Sequence, residues 1–359
     1  MEKKALIAMS GGVDSSVAAL LCQQAGFDCM GVTLKLYDNE DAGLPREKTC
    51  CSVDDVADAR SVAFRLGMPF YVFNFKEAFR REVMDRFVQA YERGETPNPC
   101  VDCNRYIKFE RLMRRGEETG FPYIATGHYA RVEFDGAAGR WLLKKGLDEN
   151  KDQSYMLWSL TQWELSRLLL PLGGLTKERV RQLAEEHGFL NARKRDSQDI
   201  CFVPDGDYAA FIRRYAGKEF PPGAFVGTQG QVYGQHKGII HYTVGQRKGL
   251  GLSFPQPMFV KELDVEKNRV VLAKAEELFS QEVIARDINL ISVESIPAPL
   301  RVKARVRYRQ KEQPATVLQT GPDELRVVFD QPQRAVTPGQ SLVLYDGDTV
   351  VGGGKIARK

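Results

Sequence analysis

From residue 4 to about residue 200 the chain alternates short apolar runs with amphipathic stretches, and this alternation restricts the fold more than any single motif. "KALIAM" precedes "SSVAALLCQQAG", "CMGVTLKLY" precedes "VDDVADARSVAFRLG", and "FYVFNF" precedes "AFRREVMDRFVQAYERG". Further on, "YIATGHYARV" reads as strand and "TKERVRQLAEEHG" as helix. Strands separated by helices at this spacing form β-α-β units, because a crossover helix is what returns the chain to a parallel neighbour. The expectation is an α/β fold with a parallel sheet covered on both faces. Gly26, Gly67, Gly94 and Gly188 stand where the helices should stop.

After about residue 205 Gly and Pro crowd the chain, as in a small α+β domain of short strands and turns. Beyond about 280, strand-like runs alternate with "PDE", "TPGQ" and "DGD" and no helical period remains, which predicts a small antiparallel β-barrel. The predicted domains are 1–205, 206–278 and 279–359, and 359 residues suffice for three cores. No apolar run approaches the ~18 residues of a membrane span. "MEKKALIAMSGG" passes from a short strand to glycines without the long apolar region of a signal peptide. A cytoplasmic protein with no membrane partner is expected.

The strongest local signal is "ALIAMSGGVDSSVAALL". A strand, a glycine pair, small hydroxyls and then a helix is the arrangement in which backbone N–H groups and a helix N-terminus surround an anion. Gly11 and Gly12 allow close approach to phosphate, Ser10 and Ser15 offer hydroxyls, and Asp14 is placed to hold Mg2+ or orient the loop. The stretch is neither a Walker A loop nor a dinucleotide fingerprint. "SGGVDS" instead resembles the PP-loop of enzymes that cleave ATP between its α- and β-phosphates.

Seven cysteines, at 22, 29, 50, 51, 100, 103 and 201, are an odd number in a chain without an export signal, which favours metal, catalytic or buried thiols over a disulfide framework. "TPNPCVDCN", residues 96–104, sets Cys100 and Cys103 at C-x-x-C spacing on a stretch whose prolines and asparagines predict loop; metal, redox and nucleophile chemistry all use that spacing. Cys22 and Cys29 fit a helix and a strand core, and the adjacent Cys50 and Cys51 are poorly spaced to chelate one metal together. His187 and His241 carry no chemical expectation.

With "AMSGGVDSS", the motifs "TPNP..CN..IKF" (96–109), "ATGHYAR" (125–131), "KDQSYML" (151–157), "SQDICF" (197–202), "YTVGQRKGLG" (242–251), "RYRQ" (307–310) and "PGQSLVLYDGD" (338–348) follow in order. In these the chain resembles the tRNA-specific 2-thiouridylases over essentially its whole length. The resemblance implies ATP-dependent sulfur transfer to C2 of the wobble uridine of tRNAs for Lys, Glu and Gln. It implies ATP binding by Ala8, Met9, Ser10, Gly11, Gly12, Val13, Asp14, Ser15, Leu34 and Gly127, with Mg2+ as companion ion. It implies a nucleophilic Cys103, a persulfide-carrying Cys201, and a Cys103–Cys201 disulfide at the end of turnover. Asn98, Pro99 and Cys100 would border the target base, and His128, Lys151, Asp152, Gln153, Arg307, Tyr308 and Gln340 would contact tRNA. A cysteine desulfurase or sulfur-relay protein would supply sulfur. Many members of the family have Asp at the position of Cys100. This departure opens a second scheme in which Cys100, Cys103 and Cys201 ligate a [4Fe-4S] cluster that delivers hydrosulfide. A PP-loop ligase that amidates a small acid, and a non-catalytic nucleotide- or tRNA-binding protein, are the rival readings, and neither accounts for both cysteines.

Net charge is only +4, so an RNA surface must come from clustering. In "RVKARVRYR", residues 301–309, basic side chains alternate with Val302, Ala304, Val306 and Tyr308. At period 2 this is a strand with one cationic and one apolar face. The competing reading is a solvated strand whose charges pair with neighbouring acids. "RKR" at 193–195 reads as plain surface.

Overall fold

The computed structural model describes residues 2–38, 53–196 and 199–358, so Cys50 and Cys51 lie outside the described residues. The chain forms two compact units. One holds Met1–Val83, Cys100–Gly206 and Asp348–Val351; the other holds Met84–Pro99, Asp207–Gly347 and Gly352–Lys359.

The first unit is built on strands β1 (Lys4–Ala8), β2 (Asp28–Lys35), β3 (Phe70–Asn74), β4 (Tyr123–Ala125), a hairpin of β5 (Ala130–Asp135) with β6 (Arg140–Lys145), and the short β7 (Leu168–Leu169). β3, β2, β1, β4 and β7 lie in that order, every pair parallel. The interior of β1 and β2 is buried on both faces, as a sheet covered by helices requires. On one face Ala5, Ile7 and Met9 pack with Val17 and Ala18 of α1 (Val13–Gln24), Ala59, Val62 and Ala63 of α2 (Val53–Arg65), and Val180 and Ala184 of α3 (Lys177–Glu186). On the other, a helix over Leu112–Glu118 lies so close that a Cβ on Gly116 would stand 2.6 Å from the Phe121 carbonyl oxygen and 3.3 Å from Leu6. Gly26, Gly67, Gly94 and Gly188, the expected helix stops, all have positive φ.

Two segments differ from the sequence expectation. "YIATGHYARV" is not one strand: β4 ends at Ala125 and β5 joins β6 in an antiparallel hairpin, because residues 126–129 turn across the start of α1. The C-x-x-C stretch is not loop. Pro99–Asp102 are helical, Cys103–Arg111 form a π-helix, and Leu112–Glu118 continue as α-helix. Proline is well suited to the first helical position, where its missing N–H has no intrahelical partner in any case.

In the second unit, α4 (Tyr208–Ala216) is capped by Asp207, whose Oδ1 accepts from Ala210 N at 2.9 Å, and ends at Gly217 with φ 62°. It accompanies a four-stranded sheet of β8 (Gly223–Gly227), β9 (Val232–His236), β10 (Phe259–Asp264) and β11 (Arg269–Ala273), ordered β10-β11-β8-β9. Six further strands follow: β12 (Phe279–Leu290), β13 (Leu300–Arg305), β14 (Gln313–Gly321), β15 (Glu324–Arg334), β16 (Ser341–Asp346) and β17 (Thr349–Ile356). They run β12-β15-β14-β13-β16-β17, and β17 pairs back onto β12, closing an antiparallel barrel. No described helix is long and apolar enough to cross a membrane.

Candidate active site

In an open parallel sheet, ligands bind beyond the carboxyl ends of the strands where the strand order reverses, here between β1 and β4. The loop after β1 is Met9–Gly12. Thr33 Oγ1, from β2, donates to the Met9 carbonyl at 2.7 Å, and Gly11 takes φ +75°, where a Cβ would stand 2.4 Å from the Asp55 carbonyl oxygen. Gly12 is the N-cap of α1 and offers no side-chain acceptor to the first turn, which leaves that role to a ligand. Ser15 Oγ donates to the Gly12 carbonyl at 3.0 Å and accepts from Ser10 N at 3.2 Å. The loop after β4 meets this one: a Cβ on Gly127 would stand 2.8 Å from Asp14 C and Ser15 N. Leu34 sits two residues beyond the partner of Ala8 on β2, so Ala8–Ser15, Leu34 and Gly127 share one edge of the sheet.

Asp14 is held by side chains remote in sequence. Lys177 Nζ donates to its two oxygens at 2.7 and 2.8 Å, and the Tyr129 hydroxyl donates at 2.8 Å. Burial and the Asp14 charge push the Tyr129 phenol far above its ordinary range, so it stays a donor. Lys177 also reaches Asp196 at 2.8 Å, where Lys151 (2.8 Å) and Arg181 (3.3 Å) converge. Burial works to raise the Asp196 carboxyl, but the hydrogen bonds and charges of Lys151 and Lys177 outweigh it and hold it below the usual carboxylate value. Lys194 lies between Asp55 and Asp58, 2.6 Å from each, and Asn191 Nδ2 donates to the Gly11 carbonyl at 2.9 Å. Of "RKR", therefore, Lys194 braces the loop rather than forming plain surface.

The two thiols differ in setting. Cys103 is 8% exposed and its thiol carries no disulfide; burial pushes it up to about 11, against the opposing charge of Lys108. Cys100 is exposed, yet the protein around it still raises its thiol above the ordinary value. At ~100° per residue an α-helix would put Lys108 about 140° around from Cys103, whereas the i to i+5 bonding of the π-helix stacks the two one turn apart. Lys108 Nζ donates to Asn104 Oδ1 at 3.1 Å, and Asn104 Nδ2 to the Met156 carbonyl at 3.1 Å. Phe109 of the same segment packs on the His128 ring, centroids 5.8 Å apart. His128 Nδ1 bonds Thr126 Oγ1 at 2.8 Å, and burial, then the Lys108 charge, drives the imidazole well below its ordinary value, leaving it neutral. Cys201 is half-buried; the Tyr37 hydroxyl, just past β2, donates to its carbonyl at 2.6 Å, and Phe79 packs edge-on against Phe202.

Among the described residues no three His, Cys, Asp or Glu side chains are arranged to hold a metal ion. Cys100, Cys103 and Cys201 therefore do not gather as ligands of a [4Fe-4S] cluster, and Asp14 faces a lysine and a phenol rather than further carboxylates.

The positions expected to touch RNA divide. Lys151 is tied to Asp196. Asp152 is buried, its carboxylate accepting from Gly146 N and Ser154 N at 3.1 Å and Ser154 Oγ at 3.0 Å. Gln153 Oε1 accepts from Tyr129 N at 3.0 Å. In the second unit, Gln340 Nε2 donates to the Thr96 carbonyl at 2.7 Å, two residues before Asn98 and Pro99. Arg307 donates to the Ala335 carbonyl and to Thr337 Oγ1, and Arg307 and Tyr308 lie in a turn beyond the end of β13. Two of the five cations of the stripe are paired with acids: Arg301 with Asp330 at 2.8 Å and Arg305 with Glu312 at 2.7 Å. The apolar half of the pattern holds, with Val302, Ala304 and Val306 buried. Lys177, Asp196, Tyr129, Asn191 and Lys108 escape sequence reasoning; the π-helical register of Lys108 and the tertiary partners of the rest have no local signature.

Three family models cover the chain: a tRNA methyl transferase HUP domain over residues 3–205, a tRNA methyl transferase PRC-barrel domain over 209–274, and an aminomethyltransferase β-barrel domain over 280–356. The architecture is accordingly a HUP domain with a parallel sheet, a PRC-barrel middle domain and a closed antiparallel barrel. A tRNA-specific 2-thiouridylase of Clostridioides difficile (strain 630) is 50% identical over 358 residues, 100% of this chain and 99% of that protein. Similar relatives come from Acetivibrio thermocellus, 50% identical over 99% of both chains, and Thermoanaerobacter sp. (strain X514), 51% identical over 99% of this chain and 98% of its own.

Proposed function

Since the chain belongs to the tRNA-specific 2-thiouridylase family, we propose that it is an ATP-dependent sulfurtransferase acting on C2 of the wobble uridine of tRNAs for Lys, Glu and Gln. The observation that carries this reading is the meeting, at one sheet edge, of the glycine loop with the loop carrying His128 and, through Phe109 and Tyr37, the segments bearing Cys103 and Cys201. Methyl transfer, which the family-model names suggest, needs neither a phosphate cradle nor paired thiols.

In the proposed reaction the uridine O2 attacks the α-phosphorus of ATP, pyrophosphate leaves, and the base becomes its O2-adenylate. Backbone N–H groups of the loop and the α1 N-terminus take the phosphate charge. The terminal sulfur of a Cys201 persulfide attacks C2 and AMP leaves. The Cys103 thiolate then attacks Cys201 Sγ, breaking the S–S bond to the base; the electron pair forms C2=S, and a Cys103–Cys201 disulfide remains for an external thiol to reduce. Cys103 as a thiol is the starting state this sequence of steps requires. Mg2+ enters as the counter-ion of ATP, and no step is routed through an iron–sulfur cluster.

Within this reading Asn98, Pro99 and Cys100 border the flipped base and His128, Lys151, Gln153, Arg307, Tyr308 and Gln340 contact the tRNA, while the buried Asp152 shapes its loop. Domains at 1–205, 206–278 and 279–359, cytoplasmic residence, and a cysteine desulfurase or relay protein as donor belong to the same proposal. The test is mass spectrometry of tRNA incubated with the protein, ATP, Mg2+ and a persulfide donor. A mass gain of one sulfur for oxygen at the wobble uridine, with tRNA-dependent pyrophosphate release, is the expected result. Absence of both with active donor and intact tRNA refutes the proposal.

A further inference from the structure

Gly11 and Gly12 are joined by a trans peptide, so the Gly11 carbonyl and the Gly12 N–H point in opposite directions. Two side chains from the segment after α3 hold the carbonyl end. Asn191 Nδ2 donates to it at 2.9 Å and Lys194 Nζ reaches it at 3.4 Å, with Lys194 itself anchored between Asp55 and Asp58. The N–H end has no hydrogen-bond partner among the described residues. The glycines alone do not keep the peptide this way round. Gly12 stands at φ −87°, and a half-turn of the Gly11–Gly12 peptide plane would take it to a positive φ that glycine adopts about as readily. The turned peptide would present a carbonyl oxygen where the N–H now stands, and an oxygen repels phosphate. Asn191 resists that turn. Its hydrogen bonding is one-sided: at 4% exposure Nδ2 serves the Gly11 carbonyl and, at 2.9 Å, Ser16 Oγ, whereas Oδ1 is buried without a partner. An unpaired buried acceptor offsets much of what the donor contributes to stability, so this side chain acts chiefly on the orientation of the loop.

We propose that Asn191 is a positioning residue of the nucleotide site, which aims the Gly12 N–H at the triphosphate by holding the Gly11 carbonyl away from it. Lys194 backs the same carbonyl. The inference rests on the loop being the triphosphate site and deepens that reading: a backbone donor for the anion is set by a side chain 180 residues away. Asn191 acts through the Gly11–Gly12 peptide and not by touching ATP, so its loss weakens the grip on phosphate while the fold stays as it is.

The experiment is calorimetry of ATP and of inorganic pyrophosphate, each with Mg2+, on full-length wild-type protein and on Asn191→Leu, together with the nucleotide-free unfolding midpoint of both. Leu keeps the branched shape of Asn and removes the donor along with the unpaired acceptor. The Gly11 carbonyl keeps Lys194 and Ser16 Oγ keeps the Gly12 carbonyl, so no group is stranded. Both ligands are expected to bind the variant about tenfold more weakly, with the unfolding midpoint nearly unchanged. If Asn191→Leu does not fold, Asn191→Ala removes the same donor without added bulk and is measured at a temperature where circular dichroism shows it native. Unchanged affinity for both ligands in the variant overturns the inference alone. So does a loss confined to temperatures at which the variant is already partly unfolded, since that is what a merely structural Asn191 gives. Wild-type protein that binds neither ATP nor pyrophosphate overturns the triphosphate reading of the loop, and the inference with it.

Discussion

Cys103, the nucleophile of the proposed reaction, is held in a state that suppresses nucleophilicity. Burial lifts its thiol from 9.0 to about 11, with Cys100 and Asp102 adding to the rise and Lys108 opposing it. Two pH units correspond to about 2.7 kcal/mol in favour of the protonated form, and to an ~100-fold smaller thiolate fraction than an ordinary cysteine near neutral pH. In protein free of ATP and tRNA, the Cys103 peptide should therefore react with iodoacetamide about 100-fold more slowly than a solvent-exposed cysteine. Its rate should climb about tenfold per pH unit and level off only near 11. Lys108→Met removes the one lowering influence and should move the plateau higher still. The sign for stability follows from linkage: the raised value favours the protonated native state, so the contribution is whole below pH 9.0 and is lost as pH rises from there to about 11. Replacing Cys103 by Ala should flatten that part of a urea-midpoint against pH curve. A plateau between about pH 8 and 9 for the wild-type thiol would refute the reasoning, because burial could not then be the controlling cost.

Three other outcomes follow from particular contacts. Gly127→Ala puts a Cβ 2.8 Å from the backbone of Asp14 and Ser15 and should cut ATP affinity at least about tenfold by calorimetry while circular dichroism stays native. Arg305→Ala breaks a largely buried pair with Glu312 and a stack 5.0 Å from the Tyr345 ring, and should cost about 3 kcal/mol, whereas Arg301→Ala, exposed beside Asp330, should leave the unfolding midpoint nearly unchanged; thermal unfolding of the two variants compares them. Asp152→Ala strands two backbone N–H groups and the Ser154 hydroxyl and should destabilise by about 3 kcal/mol in urea, in contrast to a surface RNA contact, whose loss would lower tRNA affinity without touching the urea midpoint.

What the sequence carries and what it hides divide along a physical line. Strand and helix alternation is written locally, in side-chain period and helix stops, and it predicts the parallel sheet, the crossover helices and the glycine loop at the first strand's end. The barrel strand at 300–305 is legible in the same way, since period 2 decides which side chains face inward. It does not decide what an outward arginine meets: Asp330 arrives from another strand and Glu312 from beyond a turn, so two of the five cations in the stripe that suggests a polyanion site are paired within the barrel itself. The C-x-x-C helix misleads for a related reason, because Pro and Asn report the entry to an element as readily as a loop. Residue identity within a motif is likewise no guide to role. Asp152, inside a motif, is a buried acceptor for its own loop, while Lys177, outside every motif, grips Asp14 across 163 residues of sequence. Backbone geometry that a short segment dictates can be read from that segment. Charge placed by tertiary contact cannot, and at the glycine loop the partners of Asp14 arrive from Tyr129 and Lys177, 115 and 163 residues away.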